Sequence, residues 1–474
     1  MSFNSVKAPV FLLFVFIPLV AYSAGQAENS RNSSALEMLQ HLIRIDTSQP
    51  QGNEILAASY IKNVFDKAGI ESELFESAPG RTNIVARIRG NGSKRPLLLL
   101  GHTDVVTVEP ENWAFPPFSA RIADGKIYGR GAADDKCIVA ASMEVLLKIK
   151  HQDIPMDRDV IFLGVADEEG GGTHGITYMV SEHFGAISAE FALNEGSRVF
   201  MDPATRKYVS FGIGTAEKTP RRVRLTARGE AGHGSVPTQD NVIARLARAV
   251  TRLEENPLPM RLNETTYTYF SRLAANKQDP NWKIYREILE PTPSLNVQNK
   301  LRDINLSYFS IIRTSVSPTI FESGYQRNVI PSEGEVTLDI RALPDEDPEE
   351  MLASLRNIID DPYVEIIPMK VTRPAHSPAP LDNDMFRAFE KVIGERHPDA
   401  MVLPIMLTGA TDSAQLRAAG IPTYGFGPGI PFGESYGAHG NNEYLYLDAF
   451  AEYQSILWDL VMEIAASRSE ENKP

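Results

Sequence analysis

The chain holds a single cysteine, Cys137, in 474 residues. No intramolecular disulfide can form, and metal sites built from several thiolates are excluded. An excess of basic charge is also missing. Lys and Arg number 47 against 61 Asp and Glu, a formal net charge of −14. Phosphate backbones are bound through basic footprints, so nucleic acid is not expected as a partner. Long apolar runs are confined to one place. Residues 8–21 read APVFLLFVFIPLVA, after Lys7 and before Tyr22-Ser23-Ala24. A short basic start, an apolar stretch broken by Pro18 and small residues at a cut site describe a secretory signal over residues 1–24. An uncleaved anchor is the alternative, for which the run is short. No cysteine directly follows the cut site, so a secreted or periplasmic protein without a lipid anchor is expected. The chain is otherwise of ordinary composition, 43% hydrophobic and 23% charged. Its length suits two or three globular domains.

Helical spacing opens the mature chain at Leu36, Met38, Leu39 and Leu42, and continues over residues 55–68. Apolar strand-like runs follow at 83–88, 97–100, 160–165 and 191–193, with a helix over 138–149. This alternation predicts a layered α/β domain around a largely parallel sheet. The texture changes near Thr219. Strand (222–227), helix (242–253), two strands (311–321 and 333–340), helix (349–359) and strand (363–367) describe a smaller α/β sandwich with one open sheet face. A polar stretch over 263–305, helical in part, interrupts it. After Arg373 the buried patterns return, at 402–406, 412–419, 422–426 and 448–464. The expected architecture is a three-layer α/β domain (34–218 and 373–474) with a smaller domain inserted at 219–372.

Four turns place acids or histidines directly after these apolar runs: Gly101-His102-Thr103-Asp104, residues 129–136 (GRGAADDK), residues 167–171 (DEEGG) and Asn194-Glu195-Gly196. Downstream, Ala438-His439-Gly440 precedes the last helix. Functional groups in open parallel sheets gather outside the carboxyl ends of the strands. Two imidazoles and three carboxylates suit the nitrogen and oxygen ligation of catalytic zinc, and a shared carboxylate can hold two ions ~3.5–4 Å apart. Any one of these turns is more often a solvated loop. Their coincidence, each flanked by glycine, points to a site.

Together with GHGSVP (232–237) and NVIPSE (328–333), these motifs closely resemble the zinc-dependent exopeptidases of the glutamate carboxypeptidase, aminoacylase and succinyl-diaminopimelate desuccinylase family. The order fits over essentially the whole mature chain. The resemblance implies a zinc-exopeptidase-like sandwich whose inserted domain acts as a lid or dimerisation unit, with a homodimer through that domain as a possible assembly. It implies two Zn2+ per chain, one held by His102 and Glu195, the other by Glu169 and His439, with Asp134 and a water or hydroxide bridging them. Glu168 would be the general base, Asp104 would orient the His102 imidazole, and His233 would stabilise the oxyanion. Asn328 and Arg341 stand where the family grips the substrate's carboxylate, and Gly409 where it lines the cleft. For Arg341 a surface ion pair with an acid of residues 345–350 is the plain alternative.

The activity this implies is hydrolysis of an amide bond beside a free carboxylate, on a small peptide (carboxypeptidase or dipeptidase type) or on an N-acyl amino acid. Glu195, where aminopeptidase-like relatives tend to carry aspartate, favours that side of the family. Cys137 stands where many relatives have glycine and reads as a small buried hydrophobe at a helix start. Three rivals remain. A periplasmic solute-binding protein would need no metal ligands, an inactive relative would lack one of them, and a serine hydrolase would need a strand-to-helix G-x-S-x-G elbow, which is not found.

Overall fold

The computed structural model describes residues 34–467. The expected signal, residues 1–24, lies outside them. Among the described residues no helix is long and apolar enough to cross a membrane.

The large domain is built on a ten-stranded sheet whose first five strands run Glu71–Ala78, Arg81–Ile88, Val160–Val165, Leu97–His102 and Phe191–Asn194. The last three of these are mutually parallel, with His102 opposite Val165 and Leu99 opposite Leu193. Strand Leu97–His102 is buried along its whole length. Its side chains alternate between two cores, as a pleated strand requires. Leu97 and Leu99 enter a layer made by helices Ser34–Arg44, Glu54–Lys67, Lys136–His151, Asp384–Arg396 and Leu447–Ala465. Leu98 and Leu100 enter the opposite layer, with Ile176, Met179 and Leu416. The three-layer expectation holds. The sheet is mixed rather than largely parallel, because the hairpin of strands Glu71–Ala78 and Arg81–Ile88 joins it antiparallel.

The inserted sheet contains Val223–Arg228, Ser315–Ser323, Glu333–Ala342 and Val364–Pro368, all pairing antiparallel. In Glu333–Ala342 every second residue from Gly334 is buried. That face packs on helices Val242–Glu255 and Pro348–Ile359. Val242–Glu255 begins where Asn241 accepts the N–H groups of Ile243 and Ala244, a side-chain cap.

The polar stretch at 263–305 behaves differently from the domain it interrupts. It forms helices Glu264–Ala275, Trp282–Glu287 and Leu295–Ile304, and Leu306–Ile311 follows directly after it. Their apolar side chains, including Phe270, Leu273 and Ile288, pack against Leu403, Ile405 and Met406 of the large domain's strand Met401–Leu407. Arg272 adds hydrogen bonds to the Val402 carbonyl and to Glu390. The segment therefore belongs in space to the large domain.

Candidate active site

Three neighbouring parallel strands end side by side, and the turns after them carry the site. His102 closes Leu97–His102, Glu168 and Glu169 follow Val160–Val165, and Glu195 follows Phe191–Asn194. The floor under Glu195 is packed backbone to backbone. A Cβ on Gly214 or Gly425 would lie 2.1 or 2.2 Å from the Gly196 carbonyl oxygen, so only glycine fits at either place.

Two groups of ligand-type atoms result: His102, Asp134 and Glu195, and Asp134, Glu169 and His439, each with its atoms within 4.8 Å of one another. Asp134 belongs to both. Its Oδ1 lies 3.0 Å from His102 Nε2, and its Oδ2 lies 3.2 Å from His439 Nε2. Glu195 Oε1 is 3.9 Å from His102 Nε2, and Glu169 Oε1 is 3.0 Å from His439 Nε2. The structure thus brings together all five residues expected to hold metal, with the expected one at the centre.

The electrostatics match a cation-binding donor set. Hydrogen bonds to Asp134 and Glu169 push the His439 imidazole up to about 10, against the smaller effect of burial. Burial opposes charge on Asp134 and on His102, but hydrogen bonds prevail: those to His102 and His439 hold the Asp134 carboxyl low, and those to Asp104 and Asp134 hold the His102 imidazole high. Burial and the charge of Asp134 raise Glu195. The His439 imidazole thus carries a proton at neutral pH where a cation would otherwise sit, and three carboxylates converge on two imidazoles. Divalent cations fit this set, with His102 and Glu195 on one side of Asp134 and Glu169 and His439 on the other.

Asp104 lies against His102, as expected, and contacts its ring chiefly through the backbone. The His102 Nδ1 hydrogen bond, 2.9 Å, goes to the Asp104 backbone carbonyl, whose carboxylate oxygen stands farther off at 3.5 Å. The carboxylate instead accepts the N–H groups of Glu168 and Glu169, at 3.0 and 3.1 Å, and the Gln49 amide at 2.7 Å. Glu168 is buried, which raises its carboxyl, and faces Arg373 at 2.5 Å. Cys137 is fully buried at the start of Lys136–His151 and donates to the Ala133 carbonyl, as its reading as a small buried residue required.

The remaining candidates make no hydrogen bond to the five among the described residues. His233 and Asn328 are neighbours on the inserted domain, where Gly232–His233 pairs with Val329–Ile330 and Gly234 donates to the Asn328 carbonyl at 2.7 Å. Both are exposed, and His233 Nδ1 lies 2.8 Å from Ser235 Oγ in its own turn. Arg341 forms a two-pronged pair with Asp339, two residues back on the same strand, and not with an acid at 345–350. Gly409 is exposed in the turn after Met401–Leu407, with nothing within 4 Å of where a Cβ would be.

Residues 433–437 do read G-E-S-Y-G, a match to the serine-hydrolase pattern that the sequence reading passed over. It is no elbow. It lies between the short strands Ile430–Pro431 and Tyr444–Tyr446, and Ser435 Oγ accepts the Gly437 N–H.

Two further residues emerge only from the structure. Glu443 is fully buried and accepts from the backbone N–H groups of Gly131, Ala133 and Asp134 and from Arg130. Arg130 also donates to the Gly440 carbonyl, so this pair ties the Asp134 turn to the His439 loop. The other is Arg373. Glu443 follows His439 by four residues, a spacing that could have drawn notice. Arg373 leaves no such trace.

This fold and this donor set define a metal-dependent hydrolase, with its site at the carboxyl ends of a central sheet. The chain matches Peptidase family M20/M25/M40 over residues 98–463. It is 30% identical over 443 residues to the N-fatty-acyl-amino acid synthase/hydrolase PM20D1 of Xenopus tropicalis, across 89% of this chain and 84% of that protein. With the aminoacylase-1 of Homo sapiens it shares 29% identity over 400 residues, 83% of this chain and 86% of the other. An M20 family metallo-carboxypeptidase from Sulfolobus solfataricus has the same fold, with a TM-score of 0.65 at 19% identity, covering 91% of this chain and 99% of that one. The chain belongs to peptidase family M20/M25/M40, and it is a hydrolytic enzyme of that family.

Proposed function

We propose that the protein is a two-zinc hydrolase that cleaves an amide bond next to a free carboxylate. The observation that carries this reading is Asp134, whose two oxygens face His102 and His439 on opposite sides, with Glu168 one residue from Glu169. Two zinc ions bound there would supply Lewis acidity to a water and to the scissile carbonyl. Glu168 takes the proton of that water on its carboxylate and delivers it to the leaving nitrogen. His233 donates to the carbonyl oxygen as it gains charge, once the inserted domain and the site approach each other. Arg341, with Asn328, binds the substrate's carboxylate through its planar fork, and Asp339 holds that fork in place when no substrate is bound.

Small peptides with a free carboxyl end are the first substrate class. N-acyl amino acids are the second, favoured by the 29–30% identity over most of the chain to proteins named aminoacylase-1 and N-fatty-acyl-amino acid synthase/hydrolase. We further propose export through the segment at 1–24 and pairing of two copies through the inserted domain. Its edge strand Ser315–Ser323, which leaves Ile320 and Phe321 exposed, supports that pairing.

The deciding experiment compares zinc-loaded enzyme on matched dipeptides and N-acyl amino acids, with Glu168→Gln as control. Hydrolysis of either class by wild type, lost by roughly 10²–10⁴-fold in Glu168→Gln, is the expected result. Full activity in metal-stripped protein would refute the reading.

A further inference from the structure

Arg373 lies where the chain returns from the inserted sheet's last strand, Val364–Pro368, to the large domain. It is buried, at 4% exposure, among charged partners. Its Nη2 donates to Glu168 Oε1 at 2.5 Å and to the Glu168 carbonyl at 3.2 Å. Its Nη1 donates to Asp412 Oδ1 at 2.5 Å and to Gln415 Oε1 at 3.1 Å. The fork therefore spans two carboxylates from different turns and grips one residue, Glu168, by both side chain and backbone. The space for it is cut close. A Cβ on Gly172 would lie 3.0 Å from both Arg373 Nη1 and Asp412 Oδ1.

The Asp412 turn is itself tied to the place where the chain first leaves the large domain for the inserted one. Thr411 donates its N–H and its hydroxyl to Glu217, at 3.1 and 2.9 Å. Glu217 ends strand Tyr208–Glu217, immediately before the chain enters the inserted domain. The chain's entry to the inserted domain and its final return from it thus converge on one turn, and that turn reaches Glu168 through Arg373.

Among the described residues no other donor bonds the Glu168 carboxylate, so Oε1 is held and Oε2 is left for the reaction. We propose that Arg373 is a positioning residue for the reaction: it fixes one oxygen of Glu168 so that the other is presented to the attacking water. The inference rests on Glu168 being the base. An arginine that instead anchored a substrate carboxylate would act on KM, and one that only braced the fold would act on neither constant in a folded variant.

The test uses zinc-loaded full-length enzyme and the best substrate of the panel above, with Arg373→Lys, Arg373→Ala, Asp412→Asn and Glu168→Gln. Lysine keeps the charge but cannot span both carboxylates. Misplacement of a catalytic group by about 1 Å costs on the order of 10²-fold in rate, so kcat of Arg373→Ala should fall by about that much and that of Arg373→Lys by somewhat less. KM and bound zinc should hardly change. Guanidinium ion at a non-denaturing concentration should partly restore Arg373→Ala and leave Glu168→Gln unchanged.

Wild-type kcat in Arg373→Lys, a loss carried by KM, or loss of zinc would overturn the proposal. So would failure of both Arg373 variants to fold where Asp412→Asn folds, since the cation would then be a strut. Near-normal turnover by Glu168→Gln would remove the base assignment itself, and this inference with it. An inert Glu168→Gln beside a normal Arg373→Lys would refute the positioning role alone.

Discussion

The Asp104 carboxylate accepts the Glu168 backbone N–H at 3.0 Å, and its second oxygen accepts that of Glu169 at 3.1 Å. One side chain therefore fixes the peptide that carries both the proposed base and a proposed metal ligand, while its backbone carbonyl contacts His102. Asp104→Asn keeps the shape but turns one acceptor into a donor facing an N–H. We expect metal affinity to fall by roughly 10–100-fold, as for other outer partners of ligands, and kcat to fall with it. Titration of metal-stripped variant with zinc measures the first effect. Unchanged affinity would show that the two N–H bonds are dispensable.

Metal uptake should release protons. In the metal-free chain the His439 imidazole is pushed up to about 10 by Asp134 and Glu169, so it carries a proton at neutral pH that a cation must displace. Raised imidazoles mean that binding strengthens as pH rises toward that value and weakens on acidification. Calorimetry in buffers of different ionisation enthalpy counts the protons, and elemental analysis should approach about two zinc ions per chain. Binding without proton release would contradict the charge state described for this site.

His233→Ala should leave the metal content intact, because the side-chain hydrogen bonds of His233 stay within its own turn, with Ser235, and reach none of the five proposed ligand residues. Loss of an oxyanion donor lowers kcat by about 10²–10³-fold, equivalent to ~2.7–4 kcal/mol. Zinc lost in proportion to activity would instead make His233 a ligand.

Arg341 and Asp339 form a pair that a substrate carboxylate would have to share or replace. Wild type is expected to favour free acids strongly over their C-terminal amides. Arg341→Lys and Asn328→Ala should erode that preference by lowering kcat/KM for the acids alone. Equal rates on acid and amide in wild type would end the carboxylate-anchor assignment.

His376 provides a pH test of stability away from the metal residues. It is buried at the return crossing, where burial, followed by the charge of Arg417, lowers its imidazole to about 3. Unfolded chain takes up this proton below pH ~6.5 and native chain only near 3, so the unfolded state binds more protons between those values. Stability contributed by the neutral ring is complete above ~6.5 and is lost as pH falls toward 3. His376→Leu should flatten this acid limb by up to a few kcal/mol in urea unfolding followed as a function of pH. An unaltered acid limb would place the acid sensitivity elsewhere.

Much of the site was readable in advance because its chemistry follows the strands. His102, Glu168, Glu169 and Glu195 each stand directly behind an apolar run, and such runs are the strongest local signal a chain carries. Strands Tyr208–Glu217 and Glu71–Ala78 escaped notice for the opposite reason. The first carries Gly212 and Gly214, whose smallness serves a neighbour's backbone, and the second mixes three glutamates with Leu74 and Phe75 on a half-exposed edge. Arg373 was invisible because its importance comes from partners 39 and 205 residues away in sequence. Asp104 was readable as the neighbour of His102, but spacing does not tell which of its oxygens faces the ring, nor that its carboxylate also holds the Glu168 and Glu169 N–H groups.

The helices of Glu264–Ile311 leave the inserted domain, pack on strand Met401–Leu407 and lead back again. A domain inserted in the simplest way is joined to its host by two lengths of chain, which allow it to swing as a door does. Here four lengths cross between the two bodies: after Glu217, after Glu255, after Ile311 and after Pro368. Any relative rotation must be absorbed at all four places together, so the axes open to it are few and the travel is short. Closure around a substrate then resembles the tightening of a jaw held at both ends, and substrates that need a wide gape would be excluded before any residue of the site has touched them.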